Sequence, residues 1–210
     1  NTVFHNELDL TKTLRSHIAE DVALWVEKLI DERIKPAKWI ADEIREQGFE
    51  LYITRDLDQA KSYAMGRYEG QNEKRFGLIA SSKSNILPMF GVDNDFMTTR
   101  RFRGGPWFND PPNSVKSCCA FNSVATEFQC QGLELDLPIV CWDDDLLWDD
   151  GWKTKKTTRR SKVKDPHTLR LNSYRVLLSR GRDGIIIFVP PLEKLDSTHK
   201  VLVDSGLKIL

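Results

Sequence analysis

An α/β domain with a mostly parallel sheet flanked by helices is what this sequence predicts, on three observations. Phe76–Ala80 (FGLIA), Leu137–Trp142 (LPIVCW) and Ile185–Val189 (IIIFV) are continuous apolar runs of strand length, the kind buried on both faces in parallel sheets. Amphipathic stretches at helical spacing lie before and between them. The order strand, loop, helix, strand is that of βαβ units. With 210 residues, 40% of them hydrophobic, and 10 Phe, 6 Trp and 4 Tyr, the chain can bury one sizeable core, so a single domain over 1–210 is expected.

Taken in order, Ile18, Val22, Trp25, Val26 and Leu29 recur at helical spacing, and Ser16 is the candidate N-cap, which leaves Arg15 in a loop. A second helix is expected after Pro36, stopping near Gly48. Phe49–Thr54 alternates as a short strand, and Asp56 is placed to cap the next helix. After the strand at Phe76–Ala80 comes the small polar loop Ser81–Ser84. Residues 91–117, rich in Gly, Pro, Asn and Asp, read as a long insertion, and 149–166 as a second one. Between them run Cys118–Ala125, the segment TEFQCQGLELD, and LPIVCW ending in Asp143-Asp144-Asp145. NSYRVLLSRGRDGIIIFVP then reads as a helix with three arginines on its last turns, a turn at Asp183-Gly184 and a buried strand. A last amphipathic helix is expected near Thr198–Ser205.

Charge balances at 31 basic against 31 acidic residues, so any case for a polyanionic partner rests on local patches. Four cysteines include no C-x-x-C, and no signal peptide is evident, which points to a reduced, cytoplasmic protein. No apolar run approaches the roughly 20 residues that span a bilayer, so no membrane partner is expected. The chain starts at Asn1, as a piece of a longer polypeptide would.

Several constellations carry chemistry. TEFQCQGLELD joins two strands at a sheet edge, where α/β ligands bind; Gly132 would let the backbone approach a ligand and Glu134 could accept from a ribose hydroxyl. The same spacing also fits a capped helix ending at a glycine. Arg175, Arg180 and Arg182 suit an arginine finger on a γ-phosphoryl group, although taken alone they fit better a helix end whose carbonyls and dipole they satisfy. Lys153–Lys164 is either a phosphate-tracking strip or a solvated loop. Arg100, Arg101 and Arg103 with Phe102 and Trp107 suit single-stranded bases, unless Trp107 only anchors its loop. The scattered His5, His17, His167 and His199 and the Cys118-Cys119 pair have no zinc-site spacing, so no metal ligand set is assigned.

Three stretches, LTKTLRS, TEFQCQGLELD and YRVLLSRGRDGIIIFV, resemble in that order motifs IV, V and VI of the second RecA-like domain of a superfamily-one helicase. The phrases SSKS, GVDNDF, GPWFNDPP, SCCA, ATEFQCQGLELDLPIVCW and NSYRVLLSRGRDG are similar to the Schlafen group-three-like DNA/RNA helicase domains, long catalogued as a domain of unknown function, and span nearly the whole chain. The resemblance implies a RecA-like, P-loop NTPase-type sheet forming the C-terminal half of an ATP-dependent helicase or translocase core. Arg15 and Arg180 would contact the γ-phosphate, with Arg175 and Arg182 as substitutes, and Glu134 would bind the ribose beside Gly132. Thr126 and Glu127 would face a single strand of DNA or RNA, and the loop of Ser81, Ser82 and Lys83 would touch its backbone. Phe128 or Glu127 stands where the family's motif V has histidine.

The sequence contains no G-x-x-x-x-G-K-[ST] loop and no strand ending in Asp-Glu. ATP and Mg²⁺ would therefore be held mainly by an upstream P-loop domain of the same polypeptide, and this chain alone should not hydrolyse ATP. The alternative from another class is a non-catalytic nucleic-acid-binding or interaction module on the same fold. A weaker third is a metal-dependent nuclease using Asp143, Asp144, Asp145, Asp149 and Asp150, although consecutive acids in one loop are usually solvated.

Overall fold

The computed structural model describes residues 14–83, 86–94, 96–155 and 165–210, with backbone alone at 14–16 and 96. Most of LTKTLRS, Ser84 and most of the Lys153–Lys164 run lie outside the described residues.

Helices α1 (Leu14–Ile30) and α2 (Ile34–Glu46) lead into β1 (Glu50–Thr54), α3 (Leu57–Arg67) and β2 (Phe76–Ala80). Two short helices, α4 (Phe96–Arg100) and α5 (Gly104–Asn109), precede β3 (Val124–Thr126) and β4 (Leu137–Cys141). A hairpin, β5 (Leu146–Trp148) and β6 (Trp152–Thr154), is followed by α6 (Pro166–Leu178), β7 (Gly184–Phe188), α7 (Asp196–Asp204) and β8 (Lys208–Ile209).

The sheet runs β3-β2-β4-β7-β1-β8, and every pairing in it is parallel. Strands β2, β4 and β7 are buried at every residue, which is why their sequences are unbroken apolar runs rather than alternating ones. The α3 connection runs toward β2, whereas those through α6 and α7 run the other way. Right-handed crossovers therefore place α3 on one face and α6 and α7 on the other. The packing agrees: α3 lies on β1, β4 and β7, while α1 and α2 pack on each other and on α6 and α7 respectively.

Local chemistry sets two of the helix starts. The Asp56 carboxylate caps α3 by accepting from the N–H groups of Asp58 and Gln59, as its position before an apolar run predicts. Asp165 caps α6 in the same way through Thr168. Two starts differ from expectation. Helix α1 begins at Leu14, so Arg15 is in its first turn rather than in a loop behind a Ser16 cap. Helix α2 begins at Ile34, two residues ahead of Pro36, which the first turn tolerates because its N–H needs no helical partner.

Both predicted insertions contribute to the packed structure. Trp107 is buried in the first. Trp152, in the second, packs against Trp142 and Trp148 and donates its indole N–H to the Leu29 carbonyl at 3.0 Å. Only Arg175 of the three arginines lies in the last turn of α6; Arg180 and Arg182 fall in the connection to β7. TEFQCQG forms successive turns, not a capped helix, with Gly132 at φ +77.

Candidate functional site

Parallel strands put all their N-terminal ends at one edge of the sheet and all their C-terminal ends at the other, and the predicted residues divide between the two. At the N-terminal edge the segments entering β4 and β7 are laddered: Leu135 N–H donates to Arg180 O at 2.9 Å and Arg182 N–H to Leu135 O at 2.8 Å. Beside them opens a cavity of about 270 Å³ lined by Ile18 and Val22 of α1, Phe49, Glu134, Ser179 and Arg182. Arg182 Nε is 2.9 Å from Glu134 Oε2, and both side chains are about half exposed. Arg15 lies one helical turn before Ile18 and Ala19; its side chain is outside the described residues.

Arg180 does not line that cavity. Its guanidinium donates to the carbonyls of Val176 (3.0 Å) and Leu133 (3.3 Å) and to Ser179 Oγ (3.0 Å), closing the end of α6 onto the turn that carries Gly132. Arg175 is further away in character as well as place, bonded to Asp31 and Asn172, each at 2.8 Å. Gly132 is needed for its positive φ, because a Cβ added there would meet no atom within 4 Å.

At the C-terminal edge Thr126 and Glu127 are buried and satisfied within the chain. Glu127 accepts from the backbone N–H and the hydroxyl of Ser82, both at 2.8 Å, and from Ser173 Oγ of α6 at 3.1 Å. Thr126 N–H donates to Gln129 Oε1 at 2.8 Å, and Gln129 in turn donates to the Thr99 carbonyl at 2.7 Å. Ser81, fully buried, donates to Asp145 at 2.5 Å and accepts from Arg170. Arg170 reaches Asp145 at 3.0 Å and Glu127 at 3.7 Å, and Tyr174 donates to Asp145 at 2.7 Å. Among the described residues of these two segments, Lys83 and, in the turn after Glu127, Phe128, 63% exposed, reach solvent.

The acidic cluster departs from the expectation of solvated loop residues: Asp143, Asp144 and Asp145 are all buried. Burial pushes the Asp143 carboxyl up to about 7, with Asp144 reinforcing the shift. Burial also opposes ionisation of Asp144, but hydrogen bonds from Lys155, at 2.6 Å, and Lys194 outweigh it and hold Asp144 at about 2. Asp145 is raised by burial, which Arg170, Ser81 and Tyr174 only partly offset. Burial and Asp145 hold Tyr174 well above the ordinary tyrosine value, so it remains a donor. Asp149 and Asp150 are exposed and apart from this network. Among the described residues no three His, Cys, Asp or Glu are grouped to hold a metal ion, and no helix is long and apolar enough to cross a membrane.

Sequence reasoning missed Arg170, Ser173 and Tyr174. Their one available signal is that three polar residues fall among the apolar positions of a core-facing helix, which buried partners would explain.

The six-stranded parallel sheet flanked by helices is an α/β, RecA-like arrangement, and the sequence carries no phosphate-binding loop. The family model for the Schlafen group 3 DNA/RNA helicase domain matches residues 1–191, and the chain belongs to that family. No curated protein and no solved structure shows a significant match.

Proposed function

We propose that this chain is the C-terminal half of an ATP-dependent nucleic-acid helicase or translocase core, completed by an upstream P-loop domain. One observation carries the reading. Segments far apart in sequence, α1 with Arg15 in its first turn, Glu134, and the Ser179–Arg182 connection, meet around one cavity at the N-terminal edge of the sheet. The segments that the family resemblance directs to nucleic acid lie at the other edge.

In this reading the cavity takes the ribose and phosphate side of ATP. Glu134, paired with Arg182, is the hydroxyl acceptor. Arg180 is the finger, released from the Val176 and Leu133 carbonyls when a γ-phosphate offers a better acceptor. Glu134 is the one carboxylate among the cavity's lining residues, so Mg²⁺ would be held mainly by the upstream domain. At the opposite edge Lys83 and Phe128 meet the strand, while Thr126 and Glu127 support that surface from beneath.

Nucleic-acid-stimulated ATPase of the full-length protein tests this. Arg180→Ala should lower turnover by about 10³-fold or more, the scale of an arginine finger, with Arg182→Ala chiefly raising KM. Turnover unaltered in Arg180→Ala refutes the finger. Absence of ATPase from a full-length protein that still binds single strands favours the non-catalytic module.

A further inference from the structure

A basic pocket lies beside the start of β3, the edge strand, and neither strand-end site uses it. It is a cavity of about 300 Å³ between the α4–α5 connection and the segment running from Val115 into β3. Phe102, Trp107 and Val124 form its apolar wall, and Arg101, Arg103 and Lys116 stand around it. These three cations make no side-chain hydrogen bond or ion pair with a described residue, and none of the described residues lining the cavity is Asp or Glu. In a chain of 31 basic and 31 acidic residues this is a local imbalance. Like charges around one cavity repel each other, and an anion is the group that would relieve it.

The pocket is preformed. Trp107 is 1% exposed, donates to the Ser123 carbonyl at 3.4 Å and lies 5.4 Å from the Phe102 ring. The sheet is cut away to seat it: a Cβ on Gly77 of β2 would lie 2.8 Å from Cys118 Cβ and 3.2 Å from Trp107 Cζ2. Arg75 Nε holds the end of α5 through the Phe108 carbonyl at 2.6 Å. Trp107 is therefore the loop anchor, and the exposed arginines beside it are what a ligand would meet.

We propose that this pocket holds a phosphodiester unit of a single-stranded nucleic acid, its phosphate among Arg101, Arg103 and Lys116 and its sugar or base against Phe102. The site needs no ATP and so goes beyond the helicase reading; only the choice of a strand over a free nucleotide rests on it. That choice follows from position. β3 runs from the pocket at Val124 to Thr126, next to Phe128, and three residues of strand cover roughly 10 Å, within reach of one continuous chain. The Gln129–Thr99 hydrogen bond ties the two ends together.

Fluorescence anisotropy of a labelled oligo-dT of about 12 nucleotides, bound by the intact protein between about 50 and 200 mM salt, decides it. The combined Arg101→Gln, Arg103→Gln and Lys116→Gln variant should bind at least about ten-fold more weakly at the low-salt end. Its slope of log affinity against log salt should be shallower by about 0.7 for each phosphate the variant no longer neutralises. All three side chains are exposed, so an unchanged melting temperature is the folding control. Unchanged affinity and slope, or no binding of the oligonucleotide by the wild type, overturns the proposal. Mononucleotide dTMP binding as tightly as the oligonucleotide, and abolished in the same variant, overturns the strand and assigns a free nucleotide. An unaffected triple variant beside an Arg180→Ala protein lacking ATPase would defeat this pocket and leave the helicase reading standing.

Discussion

Arg170→Met removes the cation that serves two buried carboxylates. Arg170 is itself 8% exposed, and it sits 3.0 Å from Asp145 and 3.7 Å from Glu127, which are 5% and 4% exposed. Taking one partner out of a buried pair costs about 3–5 kcal/mol, because the remaining charge is left in a low-dielectric site. Here two are left, so the upper part of that range applies, against a total stability of about 5–15 kcal/mol for a domain. With a urea dependence of about 2–3 kcal/mol per molar, the unfolding midpoint should fall by more than about 1 M. Burial already raises Asp145, and loss of Arg170 raises it further. A carboxyl whose folded value is raised contributes stability that is lost as pH rises above its ordinary value, so the deficit should be larger at about pH 8 than at about pH 5. Urea titrations followed by tryptophan fluorescence measure both. Adding Asp145→Asn and Glu127→Gln should restore most of the loss, since a neutral network leaves no unpaired charge. A deficit below about 1 kcal/mol, equal at both pH values, would refute the claim that this network is buried and charged.

Asp143 gives a second pH signature. Its folded value of about 7 exceeds its ordinary 3.8, so its contribution to stability declines as pH rises between those values, and Asp143→Asn should flatten the wild-type slope from pH 5 to 7 in urea midpoints. Gly206→Ala should cost about 1–3 kcal/mol for its backbone at φ +107 and about 1–3 kcal/mol more for crowding Ala41 Cβ. Gly48→Ala, at φ +92 in open space, carries only the first of these costs, so equal melting temperatures would discount the crowding. Phe128→Ala should weaken single-strand binding by about ten-fold or more, the worth of one stacked base, without moving the melting temperature. Unchanged affinity would remove Phe128 from the strand surface.

The sheet was legible because burial on both faces leaves an unbroken apolar run: FGLIA became a wholly buried strand, as did LPIVC of LPIVCW and IIIF of the run Ile185–Val189, there preceded by Gly184. The Asp56 cap was legible because its partners are two and three residues away. What could not be read joins residues distant in the chain. Glu127 reaches 45 residues back to Ser82 and 46 forward to Ser173, so nothing in TEFQC marks its carboxylate as inward-facing. The aspartates mislead for the same reason. Three acids in a row look solvated until Lys155, Lys194, Arg170 and Tyr174 supply the partners that allow burial. Motif position singles out Arg180, whereas the cavity is lined by Arg182, a difference set by which way a short connection turns after α6.

Helix α6 is the element that makes the two edges one system. Its 13 residues span about 20 Å. Ser173 and Tyr174 engage Glu127 and Asp145 at the C-terminal edge, and the connection that follows Leu178 places Ser179 and Arg182 at the cavity on the other. The Ser81–Ser82 loop is fastened to α6 twice: Ser82 through the Glu127 carboxylate, and Ser81 directly by Arg170, which also holds Glu127 in an interior where an absent partner is expensive. In the proposed reading, a strand that displaced Ser82 would act on α6 through these bonds. Either Glu127 keeps Ser173 and Arg170 and draws the helix with it, or it releases them and the helix is freed. Both outcomes would bear on the end that carries Arg180, whose guanidinium is bonded to the Val176 and Leu133 carbonyls.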